Sequence, residues 1–147
     1  MFSRARRGYA WTQDETAPGA NTMKITRVEA CADGGSRFVD IEIPWSVERD
    51  DGLGHRLRLS TPYASPAVQF VELPAGMEQD WHHAPAAQVV VVLSGVLEVE
   101  TTDGERRRWR AGDALLPADT SGRGHRTRCV DGAVRLLFAP LPDGFGF

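Results

Sequence analysis

Two stretches of the sequence carry the side chains best suited to chemistry. Residues 76–95 read GMEQDWHHAPAAQVVVVLSG, and residues 112–125 read GDALLPADTSGRGH. Imidazole changes its charge near neutral pH, and neutral imidazole is also a common metal ligand. His82 and His125 are therefore candidates for proton transfer or for metal binding, and the amide of Gln88 is a candidate for orienting a substrate carbonyl or hydroxyl.

Strands must position these side chains, because nearly all other signals along the chain are those of a β protein. Residues 25–30 and 38–45 alternate apolar and polar side chains, which is typical of strands with one buried face. Asp103–Gly104 and Asp131–Gly132 predict type I′ hairpin turns, in which both central residues need positive φ. The regular spacing of short strands and turns predicts an antiparallel sandwich or barrel. Further strands are predicted at residues 68–73, 88–93, 96–102, 105–110, 114–116, 125–130 and 133–140, and a polar loop at 48–54.

Alternation along a strand also predicts which neighbours share a face with each candidate residue. Residues two and four positions beyond Gln88 and His125 point to the same side as they do, and so does the residue two before His82. His83 points away, unless a bulge intervenes, because adjacent strand residues face opposite ways. One aromatic, Phe70, is predicted to close the mouth of the pocket or to pack in its core. The predicted pocket residues are therefore Val90, Val92, Thr127, Cys129, Asp80 and Phe70.

Length, composition and charge exclude several classes of protein. A chain of 147 residues fits one domain of ordinary size, so separate cofactor and substrate domains are not expected. The net charge of −3 argues against nucleic acid as a partner, because binding to phosphates needs an excess of basic residues. No apolar run approaches the ~20 residues needed to cross a bilayer, so no membrane association is predicted. The basic first residues lack the apolar stretch of a secretory signal, and two cysteines in a chain of this size suit reduced thiols, which together predict a cytoplasmic protein.

The first 22 residues differ from the rest of the chain. They are polar, and they show no hydrophobic period long enough to predict a helix or a strand. We interpret residues 1–22 as an N-terminal arm and residues 23–147 as the single domain. Tyr9 and Trp11 in the arm would anchor it against a neighbouring surface or a second subunit, and a disordered tail is the alternative.

The two glycine-marked stretches resemble the two motifs of the cupin family. The first cupin motif is Gly, five residues, His-x-His, three or four residues, Glu, six residues and Gly, and this spacing is matched by Gly76, His82, Gln88 and Gly95. The resemblance covers roughly residues 38–141. It implies a jelly-roll-like, antiparallel β-barrel and, together with the aromatic arm, a homodimer.

The second cupin motif is also present, with one departure. Gly112, Pro117 and His125 match it, while Asp119 stands where the turn glycine usually does. More narrowly, the segments DGGSRFVDIEIP, WHHAPAAQ and TSGRGHRTR resemble a group of small single-domain cupins that mostly lack an assigned reaction.

The resemblance also implies a place for a metal ion, but the ligands are changed. Cupins generally hold one divalent metal with two histidines and a glutamate of the first motif and a histidine of the second. Here Ala84 stands at the second histidine position and Gln88 at the glutamate position. An amide oxygen supplies a dipole without the charge that offsets a cation's desolvation. His82, Gln88 and His125 would therefore hold zinc, iron, manganese or nickel weakly, or no metal.

Three hypotheses about function follow. The preferred one is a small-molecule enzyme of cyclase, isomerase or dehydratase type, with a role in specialised metabolism, in which His82 and His125 perform acid–base chemistry and Gln88 orients the substrate. The second is a metal-dependent oxygenase or lyase with a degenerate His/Gln/His site. The third is a non-catalytic module that binds a small ligand.

Overall fold

A computed structural model describes residues 10–11 and 21–145 of the chain, and these residues form thirteen β-strands. None of the described residues belong to a helix long and apolar enough to span a membrane. The strands in chain order are β1 (Ala10–Trp11), β2 (Thr22–Ala30), β3 (Ser36–Pro44), β4 (Val47–Asp50), β5 (Arg56–Leu59), β6 (Gln69–Leu73), β7 (Glu78–His82), β8 (Gln88–Ser94), β9 (Val96–Glu100), β10 (Arg106–Arg110), β11 (Ala114–Pro117), β12 (His125–Cys129) and β13 (Val134–Pro140).

Eleven of these strands form two sheets that pack face to face. The five-stranded sheet has the order β1-β10-β9-β12-β7, and the six-stranded sheet has the order β3-β2-β11-β8-β13-β6. The pairings are antiparallel except for β1 with β10 and β11 with β2. The prediction of an all-β, jelly-roll-like fold is therefore confirmed.

The core lies between the two sheets. Trp109 of β10 is fully buried, and its ring centroid lies 5.7 Å from that of Phe38 on β3. Leu97 and Cys129 from the five-stranded sheet and Val92 from the six-stranded sheet belong to the same buried cluster. Each comes from an inward position of its strand, so the apolar–polar alternation of the sequence becomes the inside and outside of the molecule.

The two Asp-Gly hairpins form where the sequence predicts them, but their turns are not of type I′. Gly104 and Gly132 have φ of 88° and 76°, while no other residue type has positive φ in the described ranges. The N–H of Gly104 donates to the carbonyl of Thr101 at 2.9 Å, which is the pattern of a type I turn followed by a left-handed glycine. The predicted turn type was wrong because the aspartate remains in the ordinary negative-φ region and the glycine alone reverses the chain.

One hairpin and two strands, β1 and β7, were not predicted. Residues 48–54 were expected to form a polar loop, but β4 and β5 pair across them as a separate two-stranded sheet. Their charged side chains concealed the pairing, since an exposed hairpin has no buried face to produce alternation. β7 was missed as a strand because Glu78, Gln79 and Asp80 are all polar and exposed.

The N-terminal arm contributes a short strand at the edge of the five-stranded sheet. The backbone of Ala10–Trp11 pairs in parallel with β10, and β2 begins at Thr22. Residues 1–9 and 12–20, including Tyr9, lie outside the described residues. The role of the arm in a homodimer therefore stays a prediction.

Candidate functional site

The two candidate histidines lie opposite each other on neighbouring strands. His82 ends β7 and His125 begins β12, and the antiparallel register pairs them directly. Their ring centroids are 4.6 Å apart, and the ring planes are inclined by 60°. Two residues 43 positions apart in the sequence thus form one imidazole pair, because the last residue of β7 lies opposite the first residue of the antiparallel strand β12.

Gly124 makes this close approach of the two strands possible. It has φ of 76°, and a Cβ at this position would overlap the backbone carbonyl of His82. Its own carbonyl accepts a hydrogen bond of 2.6 Å from the hydroxyl of Ser36, which is buried. Any side chain at position 124 would push β12 away from β7 and separate the histidines.

The carboxylate of Asp119 fixes the position of His125 through a hydrogen bond. Its Oδ2 lies 2.5 Å from Nδ1 of His125, and the carboxylate is fully buried. The backbone carbonyl of Asp119 also accepts a bond of 3.0 Å from the N–H of Ala84, which ties the loop after β7 to the loop before β12. The other carboxylate oxygen, Oδ1, has no hydrogen-bond partner among the described residues. A buried carboxylate bound to one ring nitrogen fixes both the tautomer and the orientation of an imidazole.

His82 is held in a similar way by the backbone. Its Nδ1 lies 2.7 Å from the carbonyl oxygen of Asp80. A carbonyl only accepts, so Nδ1 carries the proton when the ring is neutral. The same holds for His125, whose Nδ1 donates to a carboxylate. In both neutral rings Nε2 is left without a proton and acts as an acceptor.

A cavity of about 280 Å³ lies between the sheets beside this pair. Its polar lining residues are Gln79, His82, Gln88, His125 and Thr127. The others are apolar and come from both sheets, among them Val90, Leu97, Leu115 and Phe138. A small, mainly apolar cavity with a few convergent polar groups is typical of a small-molecule site.

A bulge in β7 decides which of its side chains reach the cavity. His125 pairs with His82, but Thr127 pairs with Gln79, so β7 uses three residues where β12 uses two. His82 and Gln79 therefore both line the cavity, while Asp80 does not. The structure thus places Asp80 outside the predicted pocket, because alternation does not carry across a bulge.

Three further predicted pocket residues lie outside the lining. Phe70 is 72% exposed, because alternate residues of β6 take the inward positions. Val92 and Cys129 do point inward, but they are packed in the core beyond the end of the cavity. Burial raises the pKa of the Cys129 thiol, which suits a wall residue better than a reactive thiolate.

The donor atoms around the cavity do not suit a tightly bound divalent cation. The cavity offers two imidazoles and the amide of Gln88, and Ala84 is buried where a further histidine would stand. Within the described ranges, no group of three or more His, Cys, Asp or Glu side chains is placed to hold a metal ion. The carboxylate of Asp119 already accepts the hydrogen bond from His125. A divalent cation would therefore lack a carboxylate ligand to balance its charge.

The glycine-marked stretches now have their places in the fold. Gly95 turns the chain from β8 to β9, and Gly112 precedes β11 and donates its N–H to the carbonyl of Val92 at 2.9 Å. Between these turns, side chains from both stretches converge on one cavity inside a two-sheet jelly roll. This all-β architecture of two sheets around a cavity is the one that the cupin resemblance implies.

Several solved structures are similar to this chain. They include a cupin protein from Bacteroides fragilis, which is 27% identical over 54% of this chain and 70% of its own, with a TM-score of 0.41. KdgF from Halomonas sp. is 26% identical over 66% of this chain and 88% of its own, with a TM-score of 0.38. A cupin domain from Schizosaccharomyces pombe is 15% identical over 82% of this chain and 85% of its own, with a TM-score of 0.42. These TM-scores are low and carry no conclusion about activity.

No protein-family model matches the sequence, and a search of curated proteins finds no match.

The sequence did not predict two polar residues of the site, Gln79 in the cavity lining and Asp119 beside His125. Asp119 was noted as a departure from the second cupin motif, at a turn position, and not as a partner of His125. The available signal was an acidic side chain six residues before His125. It is the one carboxylate of residues 114–124. Its role depends on the fold of the loop 118–124, which alternation along a strand does not describe.

Proposed function

We propose that the protein is a small-molecule enzyme that moves a proton at a carbon atom, as isomerases, dehydratases and cyclases do. The observation that carries the proposal is the pair of His82 and His125, 4.6 Å apart beside an apolar cavity, each with Nδ1 bound and Nε2 left as a base. General bases need this arrangement of an acceptor nitrogen at a fixed position.

The cavity residues have separate roles in such a step. Nε2 of His125 removes a proton from a carbon beside a carbonyl, and the electron pair of the broken C–H bond passes to the carbonyl oxygen as an enolate. The amide of Gln88 donates to that oxygen, since it lies in the same cavity. Either imidazole then returns a proton to the same carbon or to another one. Asp119 is a positioning residue, because its carboxylate binds His125 and is not among the residues that line the cavity.

Proton exchange with solvent tests the proposal without knowledge of the natural substrate. A panel of small neutral ketones, aldehydes and hydroxyketones is incubated in deuterium oxide, and loss of the α-proton signal is followed by proton NMR. We expect the protein to accelerate exchange for members of this panel and His125→Ala or His82→Ala to abolish it. His83→Ala is the matched control, because His83 is adjacent in sequence but exposed.

Other outcomes favour the two alternative functions. Exchange that disappears with a chelator and returns with one divalent metal would support the metal-dependent enzyme. Thermal stabilisation by a panel compound, without exchange, would support a non-catalytic binding module. Exchange that is equally fast in the wild type and in both cavity variants would contradict the proposal.

The Asp119→Asn variant tests the positioning role. We expect a loss of exchange rate of about tenfold to a hundredfold, since an amide can bind Nδ1 in the wrong tautomer. The readout that a purely structural role would not move is the pair of imidazole nitrogen shifts of His125, which report the tautomer. An unchanged tautomer together with an unchanged rate would contradict it.

A further inference from the structure

The cavity has no ionic side chain apart from its two histidines. Among the described lining residues there is no Asp, Glu, Lys or Arg. A carboxylate, phosphate or ammonium group placed there would lose its hydration, and the only side chains able to carry an opposite charge are the two imidazoles, which favour an anion only when protonated. The lining thus limits the charge of any molecule that the cavity accepts.

Three of the five polar lining residues gather at one end of the cavity. The connections from β7 to β8 and from β11 to β12 meet there, joined by the bond from the N–H of Ala84 to the carbonyl of Asp119. His82, Gln88 and His125 stand at the strand ends next to these connections. In the next row Thr127 pairs with Gln79 on one side and with Val99 on the other, and beyond it Cys129 pairs with Leu97. The lining therefore changes from polar to apolar along the strands.

The donors and acceptors at the polar end of the cavity also limit the kind of polar group that a ligand can place there. In the neutral rings both Nε2 atoms accept, and the buried carboxylate of Asp119 is bound to Nδ1 of His125. An anionic group would face these acceptors, with only the amide of Gln88 and nearby neutral donors in its favour. A neutral group that donates a hydrogen to the imidazoles and accepts one from the amide matches all of them.

We infer that the cavity takes a neutral small molecule with an apolar body and a single polar end that carries a hydroxyl, or an acidic C–H, beside an oxygen acceptor. That this molecule is a substrate rests on the proposed function. That it binds in the cavity rests on the lining residues alone. The cavity volume of about 280 Å³ restricts it to the lower end of the range for ligand sites, which is the size of one or two rings. Carboxylated and phosphorylated compounds are expected to bind more weakly than neutral ones.

Binding of three matched probes tests this inference. The probes are para-ethylphenol, para-ethylbenzoate and para-ethylbenzylamine, which share the apolar body and differ in the charge of the polar end. Each is titrated into the full chain while the imidazole signals are recorded by NMR. His55 and His83 are internal controls, because both are exposed, outside the cavity. We expect the phenol to shift the signals of His82 and His125 only, and to bind at least about tenfold more tightly than either charged probe.

Each other result overturns the inference. Benzoate or benzylamine bound as tightly as the phenol would show that the cavity tolerates charge. Shifts at His55 or His83 alone, or no shift with any probe, would show that the cavity does not accept a neutral ring with a donor. The exchange assay separates the two proposals. If the phenol binds but no compound of the exchange panel exchanges its α-proton, the inferred ligand class stands and the proposed enzymatic function is contradicted. If panel compounds exchange but the benzoate binds as tightly as the phenol, the proposed function stands and the inferred ligand class is contradicted.

Discussion

The two faces of the five-stranded sheet differ in their charged side chains. On the outer face Glu98 accepts hydrogen bonds from Arg108 at 3.0 Å and from Arg128 at 2.7 Å, and Glu100 pairs with Arg126 at 2.7 Å. On the inner face the described lining of the cavity holds no arginine, lysine or carboxylate. The same two strands, β9 and β12, build both faces.

This difference shows how one strand can serve structure and chemistry together. His125 and Arg126 are adjacent, yet one faces the cavity and the other the ion pairs outside. The outer arginines and glutamates bind one another, so their charges are largely compensated. The inner imidazoles bind only through Nδ1 and keep Nε2 available. We therefore expect substitutions on the inner face to change reactivity and those on the outer face to change stability.

The largest effect is expected for His125→Ala. Removing a positioned general base lowers proton-transfer rates by about a hundredfold to ten-thousandfold. The exchange assay in deuterium oxide measures this, with a thermal unfolding curve to show that the variant is folded. A variant that retains the wild-type rate would break the assignment of chemistry to the inner face.

Gln88→Glu sharpens the comparison by placing a carboxylate on the inner face. The donor set then becomes two imidazoles and one carboxylate, so we expect affinity for a divalent metal to rise by about tenfold to a hundredfold over wild type. Calorimetric titration with zinc gives the two affinities. Equal affinities would mean that residue 88 is not placed to bind the same metal ion as the two histidines. Gln79→Glu is the matched control, because Gln79 lines the same cavity.

A smaller effect, on stability and not on exchange, is expected for Glu98→Gln on the outer face. Burial disfavours ionisation of Glu98, but hydrogen bonds from Arg128 and Arg108 outweigh it and hold the pKa of the carboxyl below its usual value. We expect the substitution to lower the free energy of unfolding at neutral pH by about 1–3 kcal/mol. Urea unfolding measures the change, and an unaltered free energy would contradict it.

The same group gives a pH dependence whose sign follows from the lowered pKa. Its stabilisation is fully present above the unfolded-state value near pH ~4.3 and is lost as pH falls through the lower folded-state value. Unfolding curves of wild type and Glu98→Gln should therefore converge in acid. Curves that diverge as pH falls would rule out this origin of the stability.

The smallest effect is expected for Arg126→Ala. The side chain is 42% exposed, and exposed ion pairs contribute up to about 1 kcal/mol. Loss of its contact with the ring of Trp81, 4.9 Å away, adds little at an exposed site. We expect unfolding to change by less than about 1 kcal/mol and exchange not to change at all. A large loss of exchange would show that the two faces are coupled.

Much of the fold was predictable because it depends on local sequence. The alternation of residues 125–129 predicted their strand and its inward face, the alternation of residues 38–43 predicted a strand, and the two Asp-Gly pairs predicted the hairpin positions. The turn type was wrong because glycine alone took positive φ. The β4–β5 hairpin was missed because its residues are nearly all exposed and carry no burial pattern.

The candidate site was predictable only in part. His82, Gln88 and His125 were identified from their types and from the cupin spacing, and all three line one cavity. Asp80 was misplaced because the β7 bulge depends on how that strand pairs with β12. Phe70 was misplaced because an isolated aromatic on an edge strand has no neighbouring pattern that shows which way it faces.

The sequence by itself determined the all-β class, most strands and the two histidine-bearing stretches, because alternation and glycine-marked turns act between residues close in the chain. Only the tertiary structure decided that Asp119 holds His125, that the bulge turns Asp80 outward, and that the cavity ends before Val92 and Cys129. Each of these depends on strand register or on packing between sheets, and therefore on contacts between residues that are distant in sequence.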